Sequence, residues 1–220
     1  MSARILMTWG AALLIGALAI VVGIQLLFGP QKSQSDPHSS LLLPLTVEQL
    51  GRSLRNGADP NRRNEYAATA LHDWSAVGIP EAVRLLVEFG AEVDVQDRYG
   101  MTPLHHLTFP LTFDDGSSAT PQNGHATVAQ ILLEVGADPN LQDLRGQTPL
   151  HRATRRDQSD VIEILVQHGA DLQIRDAEGR TVRDLAMDPQ HRGRANWEIV
   201  AIFDRAEKQR QLSGDNQPSP

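Results

Sequence analysis

Apolar residues recur along this chain in short bursts separated by polar, Gly-containing turns. In the stretch 143–176, the turn at Arg145-Gly146 is followed by Thr148-Pro149. That pair can start a helix, because Pro is tolerated in the first turn, where its missing N–H has no intrahelical partner. A second run, Val161, Ile162, Ile164, Leu165 and Val166, stops at Gly169, as a helix does when Gly supplies a left-handed C-cap residue. The unit reads helix, turn, helix, turn. One such hairpin cannot bury its own apolar face, so a stable chain needs copies stacked side by side.

The copies are present. Thr69, Thr102, Thr148 and Thr181 share one phase, and Gly57, Gly90, Gly136 and Gly169 share another. Both series step by 33 residues except once, where Thr102 to Thr148 and Gly90 to Gly136 each take 46, an insertion of 13. Thr148-Pro149-Leu150-His151, Thr102-Pro103-Leu104-His105 and the weaker Thr69-Ala70-Leu71-His72 resemble the TPLH signature of ankyrin repeats. Gly57-Ala58-Asp59-Pro60-Asn61 and Gly136-Ala137-Asp138-Pro139-Asn140 are similar to that family's closing turn, and Gly124-His125 to its mid-repeat Gly-His pair. The resemblance spans 45–203 and implies an all-α solenoid of stacked helix-turn-helix units that binds proteins.

The phase sets the expected organisation. A repeat domain over 41–204 divides into a partial N-terminal repeat (41–63), a full repeat (64–96), a repeat carrying the insertion (97–142), the regular repeat (143–175) and a C-terminal capping repeat (176–204). Thr46 is placed to cap a helix over 47–56, and the next unit to hold helices over 70–77 and 80–89. Ala67 stands where later units have Gly100, Gly146 and Gly179, so a less regular turn is expected there. The inserted residues, within 109–124, contain two Pro and two Gly and read as an extended loop before a helix near 128–135. The last unit lacks the Pro and His of the motif and reaches its second helix only at 197–203. Residues 205–220 read as a disordered tail.

Ahead of the repeats, residues 1–4 form a short flank, and 5–28 a run without an ionisable side chain. As a helix this run would cross the ~30 Å hydrocarbon core, with Trp9 at the interface. Ala17-Leu18-Ala19 has the form of a signal-peptidase site, but the apolar run continues to Phe28, which favours an uncleaved signal-anchor. Arg4 and the amino terminus precede the span, and Lys32 is the single Lys or Arg between it and Arg52. That small bias places the repeats outside the cytoplasm, beyond a polar flexible linker at 29–40. A single-pass protein of a bacterial inner membrane, with its repeats in the periplasm, is the expected setting.

Composition narrows the function classes. A net charge of −7 over 220 residues and a pI of about 5.6 lack the basic surface that nucleic-acid binding requires. With no cysteine there is no disulfide, thiol nucleophile or thiolate metal site. His72, His105 and His151, three of eight histidines, occur once per repeat, so stacking sets them in a row rather than around one ion. The family resemblance implies that they hydrogen-bond in the helix-start turn. Asp114-Asp115 lacks the spacing of a calcium loop, and no catalytic or nucleotide-binding motif occurs. No cofactor, metal or small-molecule substrate is expected.

The expected function is a membrane-tethered, non-catalytic protein-binding module. An accessory or regulatory factor of an extracytoplasmic enzyme, as in stress defence, is the alternative, and a hydrolase using the loop carboxylates is a third reading. Within the inserted loop, Phe109, Leu111 and Phe113, with Asp114 and Asp115, are the candidate partner-binding residues. Three large apolar side chains in an otherwise polar loop either fold back over the hairpins or form a contact surface. The periodic apolar face carries its own prediction. Leu165→Ala should lower stability by about 2–5 kcal/mol in denaturant titration, through lost transfer energy and a residual cavity.

Overall fold

The structure, a computed structural model, describes residues 46–108, 124–188 and 196–213. Those residues form helices α1 (Val47–Arg55), α2 (Ala70–Val77), α3 (Pro80–Glu88), α4 (Pro103–His106), α5 (Gly124–Glu134), α6 (Pro149–Arg155), α7 (Ser159–Gln167), α8 (Val182–Met187) and α9 (Trp197–Ser213), and no strands. Helices α2, α4, α6 and α8 pack in sequence as one layer, and α1, α3, α5, α7 and α9 as a second. None of the described helices is long and apolar enough to cross a membrane. The apolar run 5–28 and the linker 29–40 lie outside the described residues, so this says nothing about the expected anchor.

Each repeat builds the same core from the same positions. Leu71, Leu104 and Leu150, two residues after their Thr, are buried on the first-helix layer. On the second layer, Val83, Ala129 and Ile162 are buried, as are Leu86, Leu132 and Leu165. Each fully buried aliphatic side chain contributes roughly 1.5–3 kcal/mol relative to leaving it in water, and one continuous cluster runs from Leu50 to Ala206. The array therefore shares a core that no hairpin could form alone.

The ends of the array differ from its middle for physical reasons. Thr46 and Gln49 form a reciprocal capping box on α1, with Gln49 N–H donating to Thr46 Oγ1 at 3.2 Å and Thr46 N–H to Gln49 Oε1 at 2.9 Å. In the last unit, Arg183 and Asp184 stand where the other repeats have Leu and His. Arg183 turns to α9, pairing with Asp204 at 2.8 Å and Glu207 at 3.0 Å.

Helix α9 also corrects the expected tail, since it does not stop at Phe203 but continues to Ser213. The segment after Phe203, DRAEKQRQLS, contains no Gly or Pro and is rich in strong helix formers. It is also anchored: Ala206 is buried, and Arg210 donates to the Ala170 carbonyl at 2.9 Å. In the repeat with the insertion, the second helix starts at Gly124 rather than near Val128, because His125 in its first turn reaches back to the Ala76 carbonyl at 2.9 Å. Its ring lies against Gly78 so closely that a Cβ there would meet ring Cδ2 at 2.6 Å.

The turn at Ala67 is as regular as the others, against expectation. Asn64 N–H bonds to the Ala68 carbonyl at 2.8 Å, just as Asp143 N–H bonds to Gln147 at 2.9 Å. Regularity there requires a left-handed backbone, and Ala67 adopts it at φ 58°, beside φ 67° at Gly146. That conformation costs a Cβ-bearing residue roughly 1–2 kcal/mol, and at Gly146 an added Cβ would also meet the Ala177 nitrogen at 2.8 Å. Ala67→Gly should therefore stabilise the protein by about 0.5–1 kcal/mol and Gly146→Ala destabilise it by more than that, both read as shifts in the urea midpoint.

Candidate protein-interaction face

Successive repeats are joined at three buried histidines. His72 Nδ1 accepts from Thr69 N–H at 3.0 Å and lies 3.0 Å from Thr69 Oγ1, while its Nε2 meets the Met101 carbonyl of the next repeat at 3.1 Å. His105 repeats this with Thr102 and the Gln147 carbonyl, 2.9 Å away, and His151 with Thr148 and the Arg180 carbonyl, 3.2 Å away. Because Nδ1 accepts and Nε2 donates, each ring must be the neutral Nε2–H tautomer. Burial pushes His72 and His105 down to about 4 and lowers His151 as well. In the last unit Asp184 takes the inner half of this role, accepting from Thr181 N–H at 2.9 Å and Thr181 O–H at 2.8 Å.

A second set of residues, which the sequence reading did not single out, shapes the turn tips. Asp97 Oδ1 accepts from Tyr99 N–H at 2.8 Å and Met101 N–H at 2.9 Å. Asp143 does the same for Arg145 and Gln147, Asp176 for Glu178 and Arg180, and Asn64 for Tyr66 and Ala68. The signal was available, since an Asx residue stands three positions before the left-handed residue in every unit. Neighbouring tips are linked through backbone: Arg98 N–H bonds to Tyr66, Leu144 to Tyr99 and Ala177 to Arg145. His106 is likewise structural, with Nε2 3.0 Å from Asp97 Oδ2 and its ring edge-on to His72 at 4.9 Å.

The linked tips leave side chains free to meet another molecule. Tyr99 is 52% exposed and Leu144 76%, and Arg98 lies over the rings of Tyr66 and Tyr99 at 5.0 and 5.9 Å. Beside them is a depression lined by Arg145, Gln147, Arg152, Arg155, Arg156, Glu178 and Arg180. The expected loop contacts, Phe109, Leu111, Phe113, Asp114 and Asp115, lie outside the described residues. Among the described residues, those brought together on this face come from the tips and first helices.

Comparison with known proteins agrees with this geometry. The family profile described as ankyrin repeats (3 copies) matches residues 45–108 and 118–193, well over half the chain. The chain belongs to the ankyrin-repeat family. Parts of it are 40% identical over 58 residues to the potassium channel KOR2 of Oryza sativa subsp. japonica, covering 26% of this chain and 8% of that protein. Ankyrin repeat and SOCS box protein 16 of Mus musculus is 51% identical over 41 residues, covering 19% and 9%. Serine/threonine-protein kinase 12 of Arabidopsis thaliana is 35% identical over 68 residues, covering 31% and 15%. The chain thus spans at most 15% of the length of these relatives. Ankyrin repeats indicate protein partners, and ankyrin domains are generally non-catalytic.

The neutral histidines make stability depend on pH. The unfolded chain takes up protons on them near pH 6.5, whereas folded His72 and His105 resist until about 4. Stability is therefore full above 6.5 and falls as the pH drops toward 4, by up to about 1.4 kcal/mol per pH unit for each histidine. Asp73, whose carboxyl burial pushes up to about 7, acts in the opposite sense over the same window. Urea titrations should show this fall for the native chain and a steeper one for Asp73→Asn, whereas a flat profile would contradict the neutral ladder.

Proposed function

We propose that this ankyrin-repeat chain is a membrane-tethered, non-catalytic adaptor that holds a protein partner on the face made by its turn tips and first helices. The carrying observation is the side-chain inventory of that face. Tyr99 and Leu144 stand exposed on adjacent tips whose backbones are bonded to each other at 3.0 Å. Apolar side chains carried on backbone-linked tips beside charged groups are suited to protein contact, since little backbone ordering entropy is lost on binding.

The tether is the apolar run 5–28, and Arg4 before it favours an orientation with the repeats outside the cytoplasm, in the periplasm if the membrane is a bacterial inner membrane. A photo-crosslinking residue placed at Leu144 in the full chain should capture a protein in intact cells, whereas the same residue at exposed Glu134 on the second-helix layer should not. Equal capture at both positions would remove the face assignment, and one dominant enzyme at Leu144 would convert the adaptor into an accessory factor of that enzyme. Alkaline phosphatase fused to the C-terminus should be active and a cytoplasmic reporter inactive; the reverse pattern inverts the topology.

A further inference from the structure

Five of the chain's 20 Lys and Arg residues line one depression of about 500 Å³, facing a single carboxylate at its wall, Glu178. They converge from three segments: Arg145 from one turn tip, Arg152, Arg155 and Arg156 from helix α6 and the residue after it, and Arg180 from the following tip. In a protein whose net charge is −7, this is a local inversion of sign. Favourable interaction with the C-terminal end of α6 explains basic residues at Arg152 and Arg155, but it does not explain Arg145 and Arg180, which lie outside that helix.

The five guanidinium groups are not held alike. Arg152 is held 3.4 Å from Asp143 Oδ2 and 3.3 Å from Thr108 Oγ1. Arg180 is fixed by Asp176 at 2.8 Å and Glu178 at 2.8 Å. The carboxylates that shape the two tips through Oδ1 therefore use Oδ2 to fix two arginines. Arg145 and Arg156 are exposed, and neither has an ion-pair partner among the described residues. Two positioned and two available forks around one depression form a site suited to planar oxyanions, which guanidinium groups bind in bidentate fashion.

We infer that this depression takes an extended acidic segment of the partner protein, with side-chain carboxylates between Arg145, Arg156 and Arg180 and an apolar residue on Leu144. The inference rests on the adaptor reading and specifies the chemistry of its partner. A peptide is favoured over nucleic acid because the basic groups are confined to one depression instead of tracking a polyanion, and because Leu144, 76% exposed, adjoins them at Arg145. Complementary charge of this kind sets specificity and association rate, and it weakens with added salt.

The test uses the full chain in detergent and fluorescence anisotropy with labelled ten-residue peptides: Glu-rich with a central Leu, the same peptide with phosphoserine for Glu, its Lys counterpart, and a single-stranded oligonucleotide. The Glu-rich peptide should bind, the Lys peptide should not, and Arg145→Glu/Arg156→Glu should weaken binding at least tenfold without shifting the melting temperature. The milder Arg145→Gln/Arg156→Gln pair should fall between. Tighter binding of the phosphoserine peptide would keep the oxyanion site and reassign its source. Unchanged affinity in both variants, no binding of either anionic peptide at low salt, or preference for the oligonucleotide would overturn the inference. The adaptor reading is judged apart from it, by whether Leu144 crosslinks a protein in the native chain.

Discussion

Three imidazoles that burial holds in the neutral form join the repeats of this array. Each buried ring accepts from its own Thr and donates to a carbonyl in the next repeat, so a charged ring would lose its acceptor and place an uncompensated charge in the core. A net hydrogen bond is worth only about 1 kcal/mol, but a buried group left without its partner costs about 1–3 kcal/mol. The bond therefore acts mainly by exclusion. It penalises every stacking register in which a carbonyl does not arrive at Nε2.

That constraint accounts for both the regular interior and the irregular ends. Where another repeat follows, His can complete its second bond. In the last described unit Asp184 stands at the His position and keeps the contact with Thr181, while Arg183 leaves the Leu position to join α9. At the other end, Thr46 and Gln49 close the first described helix by themselves. The insertion of 13 residues also becomes intelligible: it enters after His105, which bonds to Thr102 and Gln147, and before His125, which bonds to Ala76, so both flanking points keep their stacking bonds. A loop of that length costs little in closure entropy.

The turn tips use the same economy of groups for a different purpose. One carboxylate oxygen of Asp97, Asp143 and Asp176 organises backbone N–H groups, and the other is left to hold His106, Arg152 or Arg180. Backbone shape and the direction of a basic side chain are thereby coupled at each tip. The coupling is why the cationic depression lies on the same rigid face as Tyr99 and Leu144, and why that face offers a partner both charge and apolar area.

Much of this was legible in one dimension because a solenoid makes only neighbour contacts, so its three-dimensional repeat is also a repeat in the chain. The 33-residue step, the Thr-to-His spacing and the second-helix run containing Ile162 and Leu165 identified the family and the buried face without any coordinates. The structure was needed wherever contacts join residues with no common period. Nothing local shows that Arg210 finds the Ala170 carbonyl or that Arg145, Arg156 and Arg180 share a depression. Periodicity reports which positions are equivalent between repeats. Tertiary packing alone decides which unlike positions meet, because that depends on the angle and distance at which each hairpin rests on the next.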